Sequence, residues 1–197
     1  MRRTLPIALT LLIALAGTRC STNTQGDNAA PVFLEGDFEL LPVEKNVNDG
    51  VPLQFQTTIL RNKPKVLPAP TSTQFLDVQV ETYTVTWSRL DGGTTASSPQ
   101  TFGGDFVVPF NGQSTLTNYP YMTAGHLQDP PLDNLFPFNG GVDPETGKAE
   151  IVQAGSVVWN GHTLSGQAVT SYPAVFNMIF IYQATAGRVV GIRTGKR

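Results

Sequence analysis

Two histidines, a set of loop acids, two tyrosines around a proline and a lone cysteine are the side chains of this 197-residue chain best suited to chemistry. His126 and His162 would hold a metal with a carboxylate such as Asp129 if the fold brought them together, because such a site needs several converging ligands. Each stands alone in a turn-like segment, which reads first as an ordinary surface histidine. Asp129, Asp133, Asp143 and Glu145 offer paired carboxylates for glycoside cleavage, or oxygen ligands for calcium. All sit in loops rich in Pro or Gly, where acids are common for turn reasons. Nucleophilic catalysis has no Gly-x-Ser-x-Gly elbow to work from; Ser156 and Ser165 read as strand residues. Tyr119 and Tyr121, flanking Pro120, read as an exposed loop and are the candidate ligand contacts. Trp87 and Trp159 fall on apolar strand positions and are expected in the core.

The elements that must position these residues are strands. Ala149 to Tyr182 reads as a hairpin turning at Asn160-Gly161, since Asn-Gly between strand-like residues suits a type I′ turn. Phe75 to Arg89 is the clearest strand. Val78 and Val80 share one parity, while Tyr83, Val85 and Trp87 share the other, which predicts a bulge near Glu81-Thr82. A first strand over Val32–Leu41 is interrupted at Gly36, and Leu53, Phe55, Thr57 and Ile59 form one face of a second. Asn62 to Ser72 and Thr94 to Gly104 read as loops. Turns are expected at Asn46–Gly50, Asp91–Gly93 and Asn111-Gly112, with Leu116–Met122 as partner to the strand before the last of them. Leu132 to Phe138 is apolar but broken by proline, a packed connection or single helical turn. Val189 to Ile192 closes the sheet or frays.

Hydrophobic residues make up 40% and charged ones 14% of the chain, with 19 Gly and 15 Pro and no long amphipathic helical pattern. These features point to one all-β domain, an immunoglobulin-like antiparallel β-sandwich of about seven to nine strands. The formal charge is −2; setting aside Arg2, Arg3 and Arg19 leaves ten basic against fifteen acidic residues, a balance of −5. Nothing there attracts nucleic acid, and no nucleic-acid partner is expected. No glycine-rich phosphate loop precedes a helix, and no cofactor is expected.

Met1-Arg2-Arg3 followed by the apolar Leu5–Ala16 has the form of an export signal rather than a spanning helix. Two endings fit. Cleavage after Ala14-Leu15-Ala16 would release a soluble protein. Alternatively Cys20, the only cysteine, is lipidated and anchors the chain to a membrane; a lone exported cysteine has no internal disulfide partner. The expected organisation is a signal segment over residues 1–19, a flexible tether over 20–31 and the sandwich over 32–197.

The pieces DVQVETYTVTWSRLDGG, DFVVPFNG, DPPLDNL and AEIVQAGSVVWNGHTLSGQAVT, in that order, resemble a group of uncharacterised bacterial envelope lipoproteins. The resemblance covers most of Phe75 to Ile181. It implies a lipidated N-terminus followed by a single immunoglobulin-like sandwich, and no catalytic motif. Arg19, immediately before Cys20, departs from the small residue that the group's anchor carries. The expectation is therefore a non-catalytic, exported, lipid-anchored domain working by protein or glycan contact at the cell envelope, facing periplasm or cell surface. A carbohydrate-binding module is one alternative; a small periplasmic hydrolase or metalloenzyme using His126 and His162 is the other.

Overall fold

One strand of fourteen residues is the spine of the molecule. The computed structural model describes residues 30–40, 43–66 and 74–184. Within them the chain forms β1 (Val32–Leu40), β2 (Glu44–Asn46), β3 (Leu53–Phe55), β4 (Thr57–Pro64), β5 (Val78–Arg89) and β6 (Gln100–Val108). Then follow β7 (Gln113–Leu116), β8 (Tyr119–Met122), β9 (Glu150–Thr163), β10 (Ala168–Thr170) and β11 (Ala174–Ile181). Short 3-10 turns supply the rest, and no helix among the described residues is long and apolar enough to cross a membrane.

The larger sheet has the order β2-β11-β9-β5-β6, and β10 extends the upper half of β9. Its pairs are antiparallel except for β2, which lies parallel to β11 at the edge. The smaller sheet is β1-β4-β7, and β3 pairs with β8 beside it. Side chains alternate in and out along β5, β9 and β11, so one face of each is apolar and must be covered. Leu34, Phe55, Leu60, Tyr121 and Met122 cover it, packing with Val80, Val85, Val157, Trp159, Met178 and Phe180 in one core. Each large apolar side chain buried this way stabilises the fold by roughly 1.5–3 kcal/mol. The layers touch where the indole of Trp159 lies against Gly36, so closely that a Cβ there would collide with the ring.

The fold is the expected all-β sandwich, with eleven strands among the described residues rather than seven to nine. The additional strands are short: β2, β3 and β10 have three residues each, too few to display an alternation. The predicted bulge is present. Val80 and Thr82 pair with the adjacent residues Gly161 and Asn160, leaving Glu81 as the extra residue that restores Tyr83, Val85 and Trp87 to the core.

Other expectations are corrected. Asn160-Gly161 is not a turn but lies inside β9, paired with Thr82 and Val80 on one side and Thr170 and Val169 on the other. Glycine stands there because the bulged β5 comes so close that a Cβ at Gly161 would run into the Gln79 carbonyl oxygen. The chain reverses instead at Leu164–Gln167, where Gly166 has a φ of 86° and its N–H donates to the Thr163 carbonyl at 2.8 Å. Gly36 does not interrupt β1 but pairs with Leu60; the irregularity lies between Phe38 and Leu40. Leu53 to Ile59 is not one strand. It breaks at Gln56, after which Thr58, Leu60 and Asn62 turn inward. The stretch 100–104, read as loop, opens β6, and 62–64, also read as loop, closes β4. The Asn111-Gly112 turn forms, with the Gly112 N–H on the Pro109 carbonyl at 3.0 Å. It carries the chain from one sheet to the other, so β7 pairs with β4 and β8 with β3 rather than with β6. Ala30, assigned to the tether, is buried in the core. Cys20 and Val189–Ile192 lie outside the described residues.

Candidate functional site

The two tyrosines do not form an exposed loop. Tyr119 and Tyr121 belong to β8, whose pairing with β3 turns them into the sandwich. Tyr121 is fully buried, its ring stacked on Phe55 at 4.6 Å and its hydroxyl on the Met178 sulfur at 3.8 Å. Burial pushes the pKa of that hydroxyl up. Tyr119 is half-buried, and its hydroxyl donates to the Gly104 carbonyl at 3.4 Å. It thereby caps part of the free edge of β6, and Ser114 caps another part by donating to the Val107 carbonyl at 2.7 Å. Tyr121 therefore reaches no ligand without opening the core.

The histidines are placed in separate local networks. His126 opens a 3-10 turn with Nδ1 at 2.6 Å from Gln100 Nε2 and 2.9 Å from Thr123 Oγ1. Gln100 Oε1 accepts from the Thr123 N–H at 3.2 Å, which fixes the orientation of the amide. Nε2 of Gln100 is then the donor, and Nδ1 of His126 accepts, leaving the imidazole proton on its own Nε2. Asp129 stands 3.9 Å from the same ring nitrogen. His162, on β9, has Glu81 as its neighbour at 3.3 Å. Among the described residues no three of His, Cys, Asp and Glu come together as a metal-binding group.

Asp143 and Glu145, candidates for acid–base or calcium chemistry, are instead built into a corner of the fold. Arg89 at the end of β5 donates from Nε and Nη2 to the two oxygens of Asp91, at 2.7 and 2.9 Å. Its Nη2 also reaches Asp143 at 2.6 Å, and Nη1 reaches the Thr95 carbonyl at 3.0 Å. The three side chains are 2%, 1% and 0% exposed. Asp91 accepts further from the N–H groups of Val152 at 2.8 Å and Gly93 at 3.2 Å. Asp143 accepts from the Thr146 hydroxyl at 2.7 Å. Gly93 has no side chain because the guanidinium occupies the space a Cβ would take. Burial alone would raise the pKa of both carboxyls. The Arg89 guanidinium and the N–H and O–H donors outweigh it, holding Asp91 down at about 2 and Asp143 below the usual range.

Glu145 spans the gap to the neighbouring loop, accepting from the backbone N–H and hydroxyl of Thr94 and of Thr95. These bonds hold its pKa at about 2. The same loop is pinned a third time where Ser97 and Gln153 exchange hydrogen bonds of 2.9 and 3.0 Å. The corner locks the loops on either side of Arg89 together, with one guanidinium between two carboxylates.

A second region is built differently. Leu132–Leu135 forms a 3-10 turn, in which residues three apart eclipse, so Leu132 and Leu135 are both buried. Phe136 follows them inward. Pro137 then starts a second 3-10 turn, which ends at Gly140 with φ 112°. This geometry throws Phe138 outward, 81% exposed, with its ring propped on Phe136 at a centroid distance of 5.3 Å. Tyr182 supports Phe136 edge-on at 5.5 Å. A hollow of about 380 Å³ opens here, lined by Gln128, Asp133, Phe136, Phe138 and Asn139. Asn139 Nδ2 donates to the Asp133 backbone carbonyl at 2.9 Å, which steadies the rim. Oδ1 of Asp133 is buried with no hydrogen-bond donor among the described residues.

The chain matches no protein-family model, no curated protein and no solved structure. The site must be read from its own geometry. Of the four acids proposed for chemistry, Asp143 and Glu145 are structural ligands of Arg89 and the Thr94-Thr95 loop, and Asp133 lines a hollow. Phe138, Asn139 and Gln128 were missed. The apolar run 132–138 announces packing, and only the Pro137 and Gly140-Gly141 punctuation hints that the last ring is turned out. A further hollow of about 350 Å³ lies beside Arg61 and Lys63. There Arg61 faces Asp37 at 3.6 Å and Lys63 pairs with Glu35, so those cations are already answered.

Proposed function

We propose that this is a non-catalytic, exported and lipid-anchored β-sandwich domain that works by contact at the bacterial cell envelope, through the face around Phe138. The observation that carries the contact reading is the 81% exposure of Phe138 over a hollow lined by aromatic and polar side chains. Exposing so large an apolar ring forgoes roughly 1.5–3 kcal/mol of burial, and a contact surface is what that ring is suited to. Of the candidate reactive groups, Asp143 and Glu145 are engaged at the Arg89 corner, His126 with Gln100, His162 with Glu81, and Tyr121 in the core. Location rests on the sequence: a basic start, an apolar stretch over Leu5–Ala16, and Cys20 placed for lipidation.

The test has two arms. In the native host, labelled fatty acid is expected to enter the wild-type chain and not Cys20→Ala; equal labelling of both, or none, contradicts the anchor. The full chain carrying Cys20→Ala, freed of its lipid, is then mixed with isolated envelope fractions. Retention that disappears on adding Phe138→Ala supports the contact face; retention indifferent to Phe138 contradicts it.

A further inference from the structure

We infer that the hollow bounded by Phe136 and Phe138 receives a sugar ring of a neutral glycan. This deepens the contact reading above and rests on it. The volume, about 380 Å³, falls in the range of small-molecule sites, which run from about 300 to 1,000 Å³. Its walls combine one flat apolar surface with three planar polar side chains, the Gln128 and Asn139 carboxamides and the Asp133 carboxylate. A pyranose has that same division: C–H groups on a face that can lie on an aromatic ring, and hydroxyls around the rim that donate and accept. Gln128 is exposed, and its side chain makes no hydrogen bond within the described residues. Asn139 spends one of its two N–H donors on the Asp133 backbone and keeps the other and Oδ1.

The Asp133 carboxylate lines the hollow, and a ligand hydroxyl can donate to it. The charge narrows the class further. None of the lining residues is cationic, and Asp133 is an acid, so phosphorylated or acidic sugars are repelled rather than held. A quaternary ammonium would want rings set around it. The two phenylalanine rings instead lie tilted by only 31° against each other, which leaves one open platform.

The purified full chain is applied to an array of neutral, acidic and amino saccharides with choline as a non-sugar probe, and the best neutral ligand is then titrated. Binding of neutral saccharides is expected, weakened at least about tenfold by Phe138→Ala and also reduced by Gln128→Ala. Both positions are exposed, so both variants keep the wild-type melting temperature and report on contact alone. Absence of neutral-saccharide binding, or binding that Phe138→Ala leaves intact, overturns the inference. Choline bound in a Phe138-dependent way would overturn the sugar assignment while leaving the contact face standing. Loss of both the saccharide signal and the Phe138-dependent envelope retention would bring down the two readings together.

Discussion

The corner around Arg89 and the hollow around Phe138 hold similar residue types and treat them in opposite ways. In the corner, two carboxylates are buried beside one guanidinium and receive donors from Val152, Gly93 and Thr146. In the hollow, Asp133 carries an acceptor without a donor, next to an aromatic ring left in solvent. The first arrangement resists change at Arg89, because removing the guanidinium leaves two buried carboxylates unanswered. The second is unfinished as a piece of structure, and a ligand is what would complete it. Acidic residues in loops are thus no guide to chemistry until their partners are counted.

That contrast breaks most visibly at Arg89. Replacing it with Ala or Met leaves Asp91 and Asp143 buried and unpaired, and should cost about 3–5 kcal/mol in chemical denaturation. A loss under 1 kcal/mol would mean the corner is not buried as described. Gly93→Ala comes next. The new methyl must displace the guanidinium, and a destabilisation of about 1–3 kcal/mol is expected from urea midpoints.

Acid should separate the regions as well. Asp91 and Asp143 have folded pKa values below their unfolded ones, so the stability they confer is complete above about pH 4. It falls as pH drops below that; the share from Asp91, worth about 2 kcal/mol, is lost through the window toward about 2. Denaturation series from pH 6 to pH 2 should show this decline in the wild type and a flatter one when Asp91 is replaced by Asn. The smallest effect on stability is predicted for Phe138→Ala, within about 0.5 kcal/mol, because its ring is already in solvent. A larger cost would show that Phe138 packs rather than waits.

Much of the architecture is legible in the sequence, and the reasons it fails elsewhere are physical. The bulge at Glu81 can be read because Val78-x-Val80 and Tyr83-x-Val85-x-Trp87 stand in opposite parity, and both must face the core. Asn160-Gly161 cannot be read correctly from its neighbours, since a turn glycine and a close-approach glycine look alike locally. Only the Gln79 carbonyl, far off in sequence, distinguishes them. The pairing of β3 with β8 escapes for a similar reason: three or four residues carry no period to choose a partner, and Tyr121, read as loop, is buried against Phe55 and Phe176. Within the site, Arg89 and Asp91 lie two residues apart before Gly92-Gly93, a signal that could have been seen. Asp143 reaches them from 54 positions away, and no local pattern announces it. The outward turn of Phe138 depends on the 3-10 geometry that buries Leu132, Leu135 and Phe136, which leaves the next ring no room inside.

The central claim is that the Phe138 face is a binding surface and the Arg89 corner a structural lock. Amide-resolved NMR of the full chain, recorded while a neutral oligosaccharide is added, tests it most directly. Shifts confined to residues 125–141, centred on Phe138 and Asn139 and lost in Phe138→Ala, are the predicted result. Shifts centred on Arg89, Asp91 and Asp143, or a spectrum the saccharide leaves unmoved, would contradict it.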